Sequence, residues 1–334
     1  MKISFALLFT AVAAFFLWAY PDREEEQRYY CNQGYIFGTY YNIRYSSGKD
    51  LEKGILKTLK EFDNSLSTFN PKSTISRINQ NKSEDTDEHF RLMYNNALQI
   101  WQLSDGAFDI TVAPLVNAWG FGFSNKEDIT GNLIDSLLQY VGMQHISLEG
   151  KLLKKSDPHI MLDASAIAKG QACDVVAEYL LSQGCDDLLV DIGGEIVLRG
   201  LNDSGEPWRV GITKPEDDPI GKQNDIQQII SSTSLAMATS GNYRQFYYDN
   251  GIRRSHTIDP RTGFPVNHSL LSATVVADNC MTADALATAC MVLGKDSALD
   301  MINKLNYAEC YLICADADST NIFMSDGMKQ LIGE

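Results

Sequence analysis

Asp284 and Thr288 stand four residues apart in the alanine-rich stretch from Asn279 to Gly294, so a helix there puts a carboxylate and a hydroxyl on one face, one turn apart. Such a pair offers oxygen ligands and little else. It suits a hard divalent cation such as Mg2+, which keeps waters and takes further ligands from backbone oxygens or substrate phosphates. Ala283, Ala285, Ala287 and Ala289 keep the surroundings small, leaving room for a bulky ligand or a second backbone, while Leu286, Met291, Val292 and Leu293 are available to the core. Thr282 stands where a helix N-cap is expected, and a helix N-terminus favours anionic groups. The same pattern also fits an alanine-rich core helix with a capped first turn.

Three other stretches carry groups of chemical interest. The run from Asp163 to Gly170 follows a strand-like segment, breaks at an acid, passes through small residues into a helix and carries one cation, Lys169. It lacks the spacing of a Walker A loop, and no Gly-x-Gly-x-x-Gly supports a Rossmann reading. Gly106 to Gly122 is rich in aromatics and glycine and holds one acid, Asp109, which fits either a pocket for a flat ligand or ordinary core packing. His256 lies just before the turn at Asp259 and Pro260, as a structural histidine or as a site residue.

The formal net charge of −15 excludes general attraction to nucleic acid, whose binding rests on Lys and Arg neutralising phosphates. An anionic small molecule then needs a local cation, which a bound metal supplies. Residues 1–20 differ from the rest: after Lys2, the run from Ile3 to Trp18 is broken only by Ser4 and Thr10, and an acidic segment follows Pro21. This predicts an export signal or a membrane anchor with its Lys end inside, close to the minimum of about 17 apolar residues for a spanning helix. With no clean small-x-small cleavage site, an uncleaved anchor is the favoured form. Residues 21–33 read as a linker and 34–334 as one domain. Of the seven cysteines, Cys173, Cys280, Cys290, Cys310 and Cys314 lie in apolar runs and read as small buried hydrophobes, predicting neither a disulfide framework nor a zinc site.

The elements that must position these groups follow from periodicity. Alternation predicts strands at 35–45, 159–162, 208–212, 234–239 and 270–277, with two more within 188–198 pivoting on Gly193 and Gly194. Helical spacing predicts helices at 50–66, 87–103, 132–141, 170–183, 279–294 and 295–305, with a short one capped by Ser73 up to Asn79. Hairpins are expected at Glu149-Gly150, at Asn250-Gly251 and through Ala315-Asp316, and loops at 80–86 and 214–225.

Together these segments resemble the ApbE family of flavin transferases. The carriers are, in the family's order, Ser67 to Asn79, Gly106 to Thr111, Asp163 to Gly170, Asp191 to Gly194, Ala238 to Arg244, Ser255 to Gly263 and Ala283 to Thr288, spanning almost everything after residue 34. Each motif is weak alone, whereas seven in order are specific. The resemblance implies an α+β mixed fold with antiparallel sheets and packed helices behind the N-terminal anchor or signal. It also implies an exported enzyme, on the periplasmic side of the inner membrane, that takes FAD as substrate with Mg2+ as cofactor. Its activity would be transfer of FMN to a Thr hydroxyl of an acceptor protein, such as a membrane redox subunit, with release of AMP. Hydrolysis of FAD to FMN and AMP, or non-catalytic FAD binding, are the alternatives.

Matched position by position, Asp284, Thr288 and the backbone oxygen of Ala166 look like the metal ligands. Phe37, Phe69, Ala107, Phe108, Asp109, Asp163, Lys169 and Ile258 match cofactor contacts, and Ser240, Gly241 and His256 lie in the motifs nearest the phosphates. His256 or Asp163 would take the acceptor's proton, and Asp284 would act through the cation. Two departures stand out: Ala164-Ser165-Ala166 replaces a commonly glycine-containing tripeptide, and Phe37 stands where Met is frequent.

Overall fold

The computed structural model describes residues 27–122, 128–215, 225–242, 246–249, 252–316 and 319–333. One antiparallel sheet of eight strands organises them. In chain order its strands are β1 (Arg28–Ile36), β2 (Thr39–Ser47), β5 (Leu188–Ile192), β6 (Glu195–Arg199), β9 (Ser234–Gly241), β12 (Leu270–Ala277), β13 (Ala308–Asp316) and β14 (Ser319–Met324), which are also neighbours in that order. Three hairpins complete the strands: β3 (Ile146–Glu149) with β4 (Leu152–Lys155), β7 (Trp208–Thr213) with β8 (Ile226–Ser232), and β10 (Phe246–Asp249) with β11 (Ile252–Ser255). The helices are α1 (Glu52–Leu66), α2 (Thr74–Asn79), α3 (Glu88–Leu103), α4 (Ala113–Ala118), α5 (Gly131–Leu138), α6 (Ala168–Ser182), α7 (Cys280–Leu293), α8 (Lys295–Ile302) and α9 (Asp326–Ile332). This is the mixed α+β architecture expected. No helix among the described residues is long and apolar enough to cross a membrane, and the apolar run 3–18 lies outside them.

Period-two alternation decides which side of the sheet each residue serves. Val190, Val197, Ala236, Ala238, Leu312 and Cys314 enter the main core under the helices, whereas Leu189, Leu198, Met237, Tyr311 and Ile313 enter a second core with Trp208 and Met328. β7, β8 and α9 thus cover the face opposite the helices. A third, smaller cluster gathers Leu115, Trp119, Ile134, Val141 and Ile258. All seven cysteines are free thiols, six of them buried.

Helix starts are fixed by side chains that accept otherwise orphaned backbone N–H groups. Ser73 accepts from Ser76 N–H at 3.1 Å and Asp87 from Phe90 N–H at 2.9 Å. α7 is capped twice. Asn279, not Thr282, accepts the Thr282 N–H at 2.8 Å, because Asn279 is the last extended residue while Thr282 already lies in the first turn, its hydroxyl accepting from Asn96 at 2.8 Å. Asp174 of α6 then accepts the N–H groups of Cys280 and Met281 at 2.9 and 2.8 Å.

Other expectations need correction. Strand β1 begins at Arg28, so residues 28–33 are an edge strand and not linker, paired to β2 through a turn at Phe37 and Gly38. Residues 159–162 form no strand, because side chains take their polar groups: Asn79 both donates to and accepts from Leu162 at 2.8 Å, and Lys155 Nζ donates to the Ile160 carbonyl at 2.9 Å. Residues 226–232, left without an element by sequence pattern, pair with β7. The expected turn at Asn250-Gly251 lies outside the described residues, although β10 and β11 pair on either side of it.

Burial pushes the Asp174 carboxyl up to about 6 from 3.8, against the two N–H groups that pull it down. The folded protein therefore binds this proton more tightly than the unfolded chain, so the contribution is full below about pH 4 and is lost as pH rises through 6. Urea unfolding should show wild type losing stability relative to Asp174→Asn between pH 4 and 7. Asp174→Ala, which leaves both N–H groups unpaired, should cost about 1–3 kcal/mol. A wild-type minus Asn difference that does not change with pH would contradict the assignment.

Candidate active site

The expected metal and phosphate residues converge where α6 crosses α7. The chain reaches α6 through 163–167, a turn that begins when the Asp163 N–H donates to the Ile110 carbonyl at 2.7 Å and the Asp163 carboxylate accepts the Ser165 N–H at 2.8 Å. Burial pushes this carboxyl above its ordinary value, with Ser165 opposing. Ile167 provides no side-chain cap for α6. The cap comes instead from across the crossing: Asp284 Oδ2 accepts the N–H of Gly170, the third residue of α6, at 2.9 Å.

Gly170 lies in the first turn of α6, where an N–H has no acceptor within the helix. Asp284 takes this one, and the Ala166 oxygen, in the turn before the helix, takes no backbone hydrogen bond from the described residues. Asp284 Oδ1 likewise takes no hydrogen bond from the described residues. One turn along α7, the half-buried Thr288 hydroxyl lies 3.1 Å from the Ser240 hydroxyl at the end of β9. A carboxylate oxygen and a hydroxyl on α7 and a peptide oxygen in the turn entering α6 are of the type that the all-oxygen shell of a hard cation takes. Among the described residues no cluster of three or more His, Cys, Asp or Glu competes for a softer metal.

The charge of the site involves one residue that the motifs did not single out. Lys169 is ion-paired with Glu195, the first residue of β6, whose side chain is almost fully buried. Burial works against the Lys169 ammonium, but the carboxylates of Glu195 and Asp284 outweigh it and hold its pKa above the ordinary value. Burial raises Asp284 as well, with Lys169 and the Gly170 N–H pulling it back. The available signal was a lone acid after Gly193-Gly194, inside the otherwise apolar run to Leu198.

The flavin-type positions form a rim of different character. Phe37, at the β1–β2 turn, packs edge-on to Phe62 at 5.7 Å between ring centres, and Phe62 packs against His89 at 5.4 Å. Phe69 is 80% exposed, so its ring is available to a ligand. Ala107, Phe108 and Asp109 are buried. The Asp109 carboxylate accepts from Thr111 N–H at 2.7 Å, Thr111 hydroxyl at 2.5 Å and Met143 N–H at 3.1 Å, which pins the loop. What that loop can present to a ligand is therefore backbone. A cavity of about 560 Å³ lies beside it, lined by Trp101, Asp105, Asp109 and Arg261 but by none of Asp284, Thr288 or Lys169.

His256 follows β11, edge-on to Phe121 at 6.3 Å. Ile258 is buried in the third cluster and bridges Pro265. Gly241 pairs with Ser272 in the sheet. Asn242, which sequence reasoning also passed over, accepts the Thr257 hydroxyl at 2.6 Å and so ties the Ser240–Gly241 segment to the His256–Ile258 segment. The structure thus brings Lys169, Ser240, Asp284 and Thr288 to one crossing, with Ala166 in the turn that enters α6 and the aromatic and histidine positions on other segments.

A sheet of eight antiparallel strands backed by helices, with two of those helices crossing over its central β6–β9 seam, defines the class as a mixed α+β fold. The chain belongs to the ApbE family, whose sequence model matches residues 37–312. It is 37% identical to an FAD:protein FMN transferase of Vibrio cholerae over 97% of this chain and 98% of that protein, and 32% identical to one of Escherichia coli K12 over 99% of each. Among solved structures, the flavin transferase ApbE from Vibrio cholerae superposes with a TM-score of 0.82 at 37% identity, covering 91% of this chain and 99% of that one. The apo flavinyl transferase ApbE of Pseudomonas stutzeri gives 0.83 at 29% identity, covering 92% and 98%.

Gly170 is where this geometry can be tested without touching a ligand. A Cβ added there would lie 2.2 Å from the Cys280 carbonyl oxygen and 2.8 Å from the Asp284 Cβ, so the helices would have to separate. Gly170→Ala should lower stability by about 1–3 kcal/mol in denaturant unfolding, although alanine is the better helix former. Unchanged or increased stability would mean that the crossing is looser than described.

Proposed function

We propose that this protein transfers FMN from FAD to a threonine hydroxyl of an acceptor protein, with Mg2+ as cofactor and AMP as leaving group. Family membership supports the reaction class. The observation that carries the cation is that Asp284 gives one oxygen to the Gly170 N–H and keeps the other free of hydrogen bonds from the described residues, one turn along α7 from the Thr288 hydroxyl, while the Ala166 carbonyl oxygen in the turn entering α6 has no backbone partner among them.

In this reading the threonine oxygen forms a bond to the FMN phosphorus, the bond from that phosphorus to the oxygen of AMP breaks, and the hydroxyl proton passes to a base. Asp284, Thr288 and the Ala166 oxygen would hold Mg2+, which supplies charge neutralisation on the pyrophosphate. Lys169 keeps an ammonium beside that position, with N–H groups beyond the one given to Glu195. Ser240 and Gly241 end β9 on the same side, where hydroxyl and backbone N–H can orient phosphate oxygens. Phe37 and the exposed Phe69 offer apolar ring surface to the isoalloxazine. Asp163, raised by burial, and His256, beside Phe121, are the two candidate bases. The proposal includes export and anchoring by the apolar run 3–18, which would place the site on the outer face of the inner membrane, where membrane redox subunits can be acceptors.

Incubation with FAD, Mg2+ and a folded acceptor fragment should raise the acceptor's mass by one FMN unit, and changing the acceptor threonine to alanine should abolish that gain. Free FMN and AMP with an unmodified acceptor would replace transferase by pyrophosphatase activity. Asp284→Asn keeps an oxygen for Gly170 but removes the charge, and should reduce turnover by at least a hundredfold at fixed Mg2+ with little change in fold. Turnover within threefold of wild type would remove Asp284 from the mechanism.

A further inference from the structure

Lys169 has two carboxylates within its electrostatic reach, and the structure pairs it with the less obvious one. Gly170, its chain neighbour, hydrogen-bonds Asp284 through its backbone, and the Asp284 carboxylate acts electrostatically on the Lys169 ammonium. Its ammonium nevertheless goes to Glu195 Oε1. Glu195 is 1% exposed and Asp284 2%, so neither choice is favoured by access to water. Glu195 is brought to the level of the helix by the turn through Gly193 and Gly194, with φ of 70° and 100°, and the Cys173 thiol donates to its carbonyl at 3.1 Å.

The second oxygen of Glu195, Oε2, has no hydrogen-bond partner among the described residues. An unpaired buried carboxylate oxygen is costly, and a salt bridge shaped only for stability would satisfy both oxygens. The cluster holds two carboxylates against one ammonium, and the ammonium is ion-paired with Glu195.

We infer that Glu195 is a positioning residue that keeps the Lys169 ammonium off Asp284, so that Asp284 stays open to a divalent cation. Without Glu195 the ammonium would turn to the nearest remaining carboxylate and occupy the place of the cation. The inference rests on the cation reading of Asp284, Thr288 and Ala166.

The test is Mn2+ binding to the purified full chain in the absence of FAD, followed by the paramagnetic resonance signal of free Mn2+, with melting temperatures recorded alongside. Glu195→Gln keeps the shape of the side chain and should bind Mn2+ at least fivefold more weakly than wild type. Adding Lys169→Met to it removes the competing ammonium and should restore affinity to within threefold of wild type. A structural role for Glu195 predicts no such recovery. If wild type binds no Mn2+, the cation reading fails and this inference with it. If wild type binds and Glu195→Gln is less than fivefold weaker, or the double variant does not recover, this inference alone is overturned. Should Glu195→Gln be unfolded at the assay temperature, the double variant, which buries no unpaired charge in that pair, decides by the same threefold criterion.

Discussion

The crossing of α6 over α7 at Gly170 is the contact on which the rest depends. Only a hydrogen fits between the Gly170 Cα and the Cys280 carbonyl, and at that distance the Asp284 carboxylate reaches the first turn of α6. The alanines of α7 follow from the same requirement. Ala283, Ala285, Ala287 and Ala289 are all fully buried, since α7 is packed between the sheet, α3 and α6 with almost no free face. Core helix and ligand helix, two readings left open by the sequence, are therefore compatible: close packing is what puts the carboxylate where it is.

Close packing also creates an electrostatic problem, because a buried carboxylate needs compensation. Asp284 receives it from three sources: the Gly170 N–H, the positive end of α6, and Lys169. None of these occupies its second oxygen. The compensation is enough to keep the group in the fold and too little to saturate it, which is the state in which a cation adds most. In a chain of net charge −15 there is no general attraction for an anionic molecule, and with two carboxylates against one ammonium this crossing supplies none of its own.

Much of this was legible in residue order. The i, i+4 spacing of Asp284 and Thr288 placed both on one face of a real helix, and the amphipathic spacing of Ile55, Leu59, Phe62 and Leu66 gave α1 nearly to the residue. What escaped was decided by side chains acting over long separations. Residues 159–162 have a strand's composition, but Asn79 and Lys155 take the backbone groups a neighbouring strand would have used. Thr282 has the chemistry of a cap, yet helix phase gave that place to Asn279. Residues 28–33 lack strong alternation because they form an edge strand with one partner and much exposure. Glu195 escaped for the opposite reason: a single acid in an apolar run carries no period, and its meaning appears only once Lys169 stands opposite.

Why segments some 115 residues apart should meet follows from the strand order, as the count from Asp284 back to Lys169 shows. α6 immediately precedes β5 and β6 and lies over them, while α7 follows β12 and lies over β9 and β12. In the sheet β6 pairs with β9, so the two helices become neighbours over that seam. β6 and β9 are not consecutive strands, since the β7–β8 hairpin leaves the sheet between them to cover its other face. The seam runs antiparallel, with Ile196 opposite Met237, which brings the start of β6 and the end of β9 to the same edge. Glu195 is the first residue of β6, and Ser240 and Gly241 are the last of β9. Two strand ends and two helices therefore deliver an acid, a hydroxyl, an ammonium and a carboxylate to one place, each on backbone that the sheet or a helix already holds. Loops need only supply the rim, and there the Phe69 ring is left exposed. The sheet and the two helices thus fix the relative positions of the charged groups, independently of the loops around them.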